Sequence, residues 1–216
     1  MASTSTTKPN EPSHYGPSET ALLLLDFHNI ILGTISVEAE KEKLVKSTQA
    51  LLEAARASKV PVLHCLIGTS RNPMPTSKLV ERWESSFKPA IAASPDLALQ
   101  ISSLAGDAGS GHEYFFDRVP GRVSALQSEG IMELLKPKLG VKSLVLAGVV
   151  SSGCVLSTAR GAADEDFVVT VVPDACWDRE AEVHRAVMDK IIPMTGHTAS
   201  VEEAVGILRG SGSGSA

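Results

Sequence analysis

Residues 143–174, SLVLAGVVSSGCVLSTARGAADEDFVVTVVPD, constrain this chain more than any other stretch. An apolar run at 144–147 turns at Gly148, and a Val-Val-Ser-Ser-Gly segment leads to Cys154. Val155, Leu156, Ala159 and Ala162 then recur at helical spacing, and a second apolar run at 167–172 is expected to close at Pro173. The pattern predicts strand, tight turn, helix and strand, with a cysteine where the turn becomes a helix. Amide groups at a helix start lack an intrahelical partner and carry the positive end of the dipole. A thiol there is favoured as thiolate, and an oxyanion formed beside it meets ready-made donors. Cys154 is therefore a candidate nucleophile.

A buried parallel sheet needs aliphatic strands, and the chain supplies them: 43% of its 216 residues are hydrophobic but only 4% are aromatic. This length suits one domain with tails. Lys and Arg form no stripe and the net charge is −5, so nucleic acid is not an expected partner. The longest apolar run near the N-terminus, 21–25, is far too short to cross a membrane. The first seventeen residues carry no pattern of a secretory signal. Cys65, Cys154 and Cys176 are an odd set without disulfide-framework or zinc-ligand spacing, as expected of reduced thiols in a cytoplasmic protein.

Taken in order, residues 1–19 are rich in Ser, Thr and Pro and read as a flexible arm, with Tyr15 available to dock. Residues 21–25 read as the first buried strand, ending in Asp26-Phe27-His28-Asn29. Open α/β sheets place their sites at the carboxyl ends of strands, so Asp26 is either a site carboxylate or the cap of the next turn. An amphipathic helix is expected at 40–58 and a second strand at 60–67, carrying His64 and Cys65. Residues 68–112 show little pattern beyond a short helix at 77–87; such an excursion builds a pocket wall or an oligomer contact. A short strand at 114–116 and a helix at 130–136, stopped by Pro137, lead to the central unit. After it, Asp178 reads as the N-cap of a helix to 192, 195–198 as an edge strand, and Ser200-Val201-Glu202-Glu203 as a capping box opening a helix to 208. Residues 209–216 read as a flexible Gly/Ser tail. The predicted fold is α/β, a three-layer αβα sandwich over residues 20–208 with a mainly parallel sheet of about six strands. Asp26 and Cys154 then fall on the same sheet edge.

These residues carry a resemblance. Asp26 after an apolar strand, with Asn29 three positions on, resembles the Asp-x-Gln-Asn opening of the isochorismatase-like cysteine hydrolases, although His28 stands where glutamine is usual. The run from Gly148 to Val155, followed by Thr158-Ala159 and Asp174-Ala175, resembles their nucleophile block. The resemblance covers about residues 20–208 and implies a Rossmann-like hydrolase fold, no cofactor, and a homo-oligomer of two or more subunits. It implies that Asp26 takes the thiol proton of Cys154, that the Val149–Val150 peptide is cis, and that the N–H groups of Val150 and Cys154 form an oxyanion hole. The family completes its triad with lysine, but counting back four from Ser124 reaches Pro120. Arg118 is the candidate replacement, with Arg122 the other cation at hand and an exposed surface role the alternative for Arg118. Residues 64–76 lack the Asp-x-His set of the family's metal-binding nicotinamidases, so neither a metal nor nicotinamide is expected. His28, Ser151 and Trp177 are candidate substrate contacts; His28 serves equally as a loop support and Trp177, with Cys176, as packing. His184 and His197 read as structural.

Three readings follow for a small-molecule substrate. The first is a metal-free cysteine hydrolase of an amide, ureide or carbamoyl group. The second is hydrolysis of the vinyl ether isochorismate with Asp26 as acid. The third is a non-catalytic member of the family that binds a metabolite or partner.

Overall fold

Leu22, Leu23, Leu24 and Leu25 are all fully buried. A strand achieves that only when helices cover both faces of its sheet. The computed structural model describes residues 7–211 and places this strand, β1 (Thr20–Leu25), at the centre of a six-stranded sheet. A single turn α1 (Asn29–Leu32), the long α2 (Glu38–Ala57) and β2 (Val62–Ile67) follow. Next come α3 (Val80–Arg82), a wide helical turn at Trp83–Phe87, α4 (Lys88–Ala93) and β3 (Glu113–Arg118). Then α5 (Ile131–Glu133) precedes β4 (Ser143–Val149), and α6 (Leu156–Asp164) precedes β5 (Val168–Trp177). The described chain ends with α7 (Ala181–Ala186), β6 (His197–Thr198) and α8 (Val201–Arg209). Strand order is β3-β2-β1-β4-β5-β6 and every pairing is parallel.

The predicted αβα sandwich is the fold observed. Leu22 and Leu24 pack with Leu51, Leu52 and Leu208 in the core under α2 and α8. Leu23 and Leu25 pack with Ile131, Leu135, Ala159 and Ala162 in the core under α5 and α6. Each fully buried leucine contributes about 2 kcal/mol, so the alternation of one apolar strand anchors both layers. The predicted capping box is present: Ser200 Oγ accepts from Glu203 N and the Glu203 carboxylate from Ser200 N.

Four sequence expectations are corrected. The second strand of the central unit does not close at Pro173 but runs to Trp177. Its pairing jumps from Leu146↔Val171 to Gly148↔Cys176, so Pro173 and Asp174 fall in the bulged stretch, where a residue without an N–H breaks no ladder bond. Pro137 does not stop its helix, which continues as a wide turn over Leu134–Lys138 and thereby accommodates the missing donor. Asp178 is not an N-cap: α7 begins after Glu180, and the Asp178 carboxylate is engaged elsewhere. The short helix expected at 77–87 begins at Val80 and runs on through Ala93.

Residues 7–19 contain two short turns, Pro12–His14 and Pro17–Glu19, and Asn10 O accepts a hydrogen bond from His197 Nε2 at 2.8 Å. Residues 1–6 of the expected arm and 212–216 of the expected tail lie outside the described residues. His64 is a satisfied core group: its Nδ1 lies 3.0 Å from Gln100 Oε1 and its Nε2 3.0 Å from Glu113 Oε2. Burial pushes the Glu113 carboxyl up, but hydrogen bonds from Arg56, Asp107 N and His64 outweigh it and hold the group at about 2.

At Gly148, paired with Leu25 beside the carboxyl edge, β4 leaves no room for a side chain against β1. A Cβ there would lie 2.4 Å from Leu25 Cβ and 2.7 Å from Leu25 O, a backbone atom that cannot swing aside. Gly148→Ala is therefore expected to destabilise the protein by roughly 2–3 kcal/mol, read from urea unfolding. An unchanged midpoint would mean that the two central strands can part without cost.

Candidate active site

At the end of β1 the chain turns through Asp26, whose φ of 59° lies in the left-handed region. Asp and Asn tolerate that region better than other side chains bearing a Cβ. The turn is held by Asp26 N donating to Cys65 O at 2.9 Å and by His28 N donating to Asp26 O at 2.7 Å. Two strands away, β3 runs in register with β2 so that Arg118 pairs with Ile67 at the same edge. Its guanidinium grips the carboxylate with both forks: Nη1 donates to Asp26 Oδ1 at 2.7 Å and Nη2 to Asp26 Oδ2. The remaining direction is also used, with Nε donating to Arg122 O at 2.8 Å. Asp26 is 2% exposed and Arg118 3%. Burial pulls the Arg118 guanidinium down, but the Asp26 carboxylate together with Cys154 and Cys65 outweighs it, and the net direction is up. It is thus Arg118 that reaches Asp26, while Arg122 leans its Nη1 on Gln127 O at 3.4 Å.

β4 delivers the nucleophile turn. The Val149–Val150 peptide is cis, at the position the resemblance gave, and the turn Ser151–Val155 breaks at Gly153 (φ −101°, ψ −106°) before α6 begins. Two side chains from beyond β5 pin it. Ser151 Oγ lies 2.8 Å from His184 Nδ1, and Asp178 Oδ2 accepts from both Ser152 N and Ser152 Oγ at 2.7 Å. Cys154, 4% exposed, has Thr158 Oγ1 at 3.8 Å, one helical turn on. Thr158 Oγ1 also accepts from Ala125 N at 2.9 Å, tying the loop after β3 to the cysteine helix.

Electrostatically the thiol is not that of a resting thiolate. Burial, and then the Asp26 carboxylate, push Cys154 well above the usual thiol range; the Arg118 guanidinium and Thr158 pull back without cancelling this. Iodoacetamide is therefore expected to label Cys154 of the empty protein at pH 7 more slowly than a free thiol, with a rate still climbing at pH 9. A labelling rate that levels off near neutral pH, followed by mass spectrometry, would refute this. Cys65 and Cys176 are pushed by burial to about 12, so neither competes.

Asp26, Arg118, Val150 and Cys154 line one cleft of about 540 Å³. Of the other sequence candidates, His28 is buried with Nε2 3.3 Å from Ile67 O, and Ser151 is buried against His184; neither lines the cleft. Trp177 lines a neighbouring groove, where its Nε1 donates to Glu40 Oε2 at 3.1 Å. Sequence reasoning missed Thr158, whose i+4 spacing from Cys154 was the available signal, and Asp178, which the strand-edge rule would have found had β5 been drawn past Pro173. It also missed Leu79, Arg82 and Phe87 of the cleft wall, which lie in the patternless excursion. Among the described residues no group of three His, Cys, Asp or Glu converges as a metal ion requires, and no helix is long and apolar enough to cross a membrane.

A parallel α/β sheet that gathers a cysteine, a carboxylate and a guanidinium in one cleft at its carboxyl edge is the framework of a hydrolase. The family model described as "Isochorismatase domain" matches residues 20–203, and the chain belongs to that family of hydrolases. It is 26% identical over 200 residues to the isochorismatase family protein YecD of Escherichia coli O157:H7, covering 88% of this chain and 96% of that one. Among solved structures it resembles a cysteine hydrolase from Pseudomonas syringae pv. phaseolicola 1448A, with TM-score 0.69, 19% identity and coverage of 90% and 94% of the two chains. It also resembles the N-carbamoylsarcosine amidase of Thermoplasma acidophilum, with TM-score 0.67, 19% identity and coverage of 86% and 98%.

Proposed function

We propose that the protein is a cysteine hydrolase that cleaves a C–N bond of a small amide, ureide or carbamoyl compound. The observation that carries this reading is the placement of the Cys154 thiol in one cleft with an Asp26 carboxylate already gripped by a permanent cation. A carboxylate oxygen has two lone pairs, so Asp26 can hold a fork of Arg118 and still accept a proton. As substrate excludes water, the thiol proton passes to Asp26 and Sγ attacks the carbonyl carbon. The C=O pair moves onto oxygen, where the N–H groups of Val150 and Cys154 receive it. Arg118 stays charged throughout and changes partner, from the carboxylate to the nascent thiolate.

The tetrahedral intermediate collapses with loss of the C–N bond, and Asp26 returns the proton to the departing nitrogen. Water then attacks the thioester while Asp26 takes its proton, the C–S bond breaks, and the thiolate recovers that proton. An arginine cannot give up a proton, so both transfers run through Asp26.

The test is intact-protein mass spectrometry after rapid acid quench with a panel of small amides, ureides and carbamoyl acids. A mass increment equal to the acyl group, mapped to Cys154 and absent from Cys154→Ala, is the expected result. A panel that is hydrolysed with no adduct, and just as fast by Cys154→Ala, would reject covalent catalysis.

A further inference from the structure

Besides Arg118, the cleft that holds Cys154 is lined by four cations: Lys78, Arg82, Arg122 and Arg179. Its two carboxylates are already committed. Asp26 is paired with Arg118, and Asp178 accepts from Ser152 N and Oγ through Oδ2 and from Arg179 N through Oδ1. None of the four cations joins an ion pair among the described residues. Arg82 and Arg179 reach the cleft from different walls, Arg82 at the end of α3 and Arg179 in the loop after β5. The Arg82 guanidinium sits over the Phe87 ring at 5.0 Å from its centroid, a contact that orients it without neutralising it. Burial first, and then the like charge of Arg179, pull the Arg82 guanidinium down, so the two cations feel each other. Two guanidinium groups that line one cleft and join no ion pair among the described residues are a site whose repulsion a bound anion relieves.

We infer that the substrate carries a carboxylate in addition to the carbonyl that Cys154 attacks, and that Arg82 and Arg179 bind this carboxylate from two walls of the cleft. A guanidinium offers two parallel N–H donors that match the two oxygens of a carboxylate, which a neutral amide or a hydroxyl cannot reciprocate. Ile31, Leu79 and Val123 supply the apolar lining against which a short carbon spacer between the two groups would pack. The inference rests on the cysteine-hydrolase reading for the carbonyl half only; the anion site stands on the arginines.

Calorimetric titration of Cys154→Ala with succinamate, glutaramate and 4-carbamoylbenzoate, each beside its neutral diamide, tests it at low ionic strength. At least one acid is expected to bind 10-fold or more tightly than its diamide. Arg82→Gln and Arg179→Gln, both changes at exposed side chains, are each expected to weaken that acid roughly 10-fold or more and to leave its diamide within twofold. No acid preferred over its diamide, or a preference that survives in the Arg82→Gln/Arg179→Gln double variant, overturns the inference. Incubating the same compounds with the unaltered protein separates the two ideas. Arginine-dependent acid binding without an acyl adduct on Cys154 sinks the hydrolase reading and keeps the anion site, whereas adducts from diamides with no acid preference do the reverse.

Discussion

Arg118→Met is expected to cost about 3–5 kcal/mol of folding stability, because it leaves the Asp26 carboxylate buried without its cation. Urea unfolding followed by circular dichroism reads this directly, and the melting temperature should fall by roughly 10 °C. Asp26 is 2% exposed and both its oxygens receive a fork of Arg118, so water has little access to replace what is removed. Arg118→Lys separates charge from geometry: it keeps the cation but cannot offer two parallel donors, and should fall between the parent and Arg118→Met. The informative control is the double variant Asp26→Asn/Arg118→Met. Asparagine tolerates the left-handed backbone at position 26, and with both charges gone the desolvation penalty goes too. Most of the lost stability should return while activity stays absent. If Arg118→Met is as stable as the parent, the pair is solvated in solution and the electrostatic account of the site fails.

That pair also marks the limit of what the sequence could say. The strands that build the sheet were legible because burial on both faces makes them continuous aliphatic runs, as in β1 and β4. From those runs alone, Asp26 and Cys154 were assigned to one edge. The cation was harder, since Arg118 and Arg122 lie four residues apart in a loop-like stretch. Only the parallel register of β3 with β2 puts Arg118 opposite Ile67, beside the end of β1. Residues 68–112 stayed illegible for a physical reason. They form short helical pieces whose side chains mostly face solvent, so no apolar period of 2 or 3.6 exists to be read. Arg82, which the anion-site inference depends on, is in that stretch. Asp178 was misread because a carboxylate three residues before a helix looks like a cap, whereas the pairing of β5 beyond its bulge carries it to Ser152 instead.

Cys154→Ala is expected to lower kcat/KM on any compound that forms the acyl adduct by a factor on the order of 10⁴ or more, with the fold unchanged. Alanine removes one sulfur atom from a site whose neighbours Thr158 and Val155 keep their own contacts, so the loss would be chemical and not structural. Cys154→Ser should be nearly as poor: a hydroxyl is far less acidic than a thiol, and the base assigned to it, Asp26, is shared with Arg118. Asp26→Asn should also lose the reaction, and the double variant Cys154→Ala/Asp26→Asn should be little worse than either single one, because the two act as a unit whose first loss already removes the pathway. The pattern discriminates between mechanisms that share this fold. If Asp26 worked alone as an acid on a vinyl ether, Cys154→Ala would keep its activity on isochorismate while Asp26→Asn lost it. Additive losses on an amide substrate would mean instead that Asp26 supports the site without handling the thiol proton, and the base would have to be sought elsewhere in the cleft.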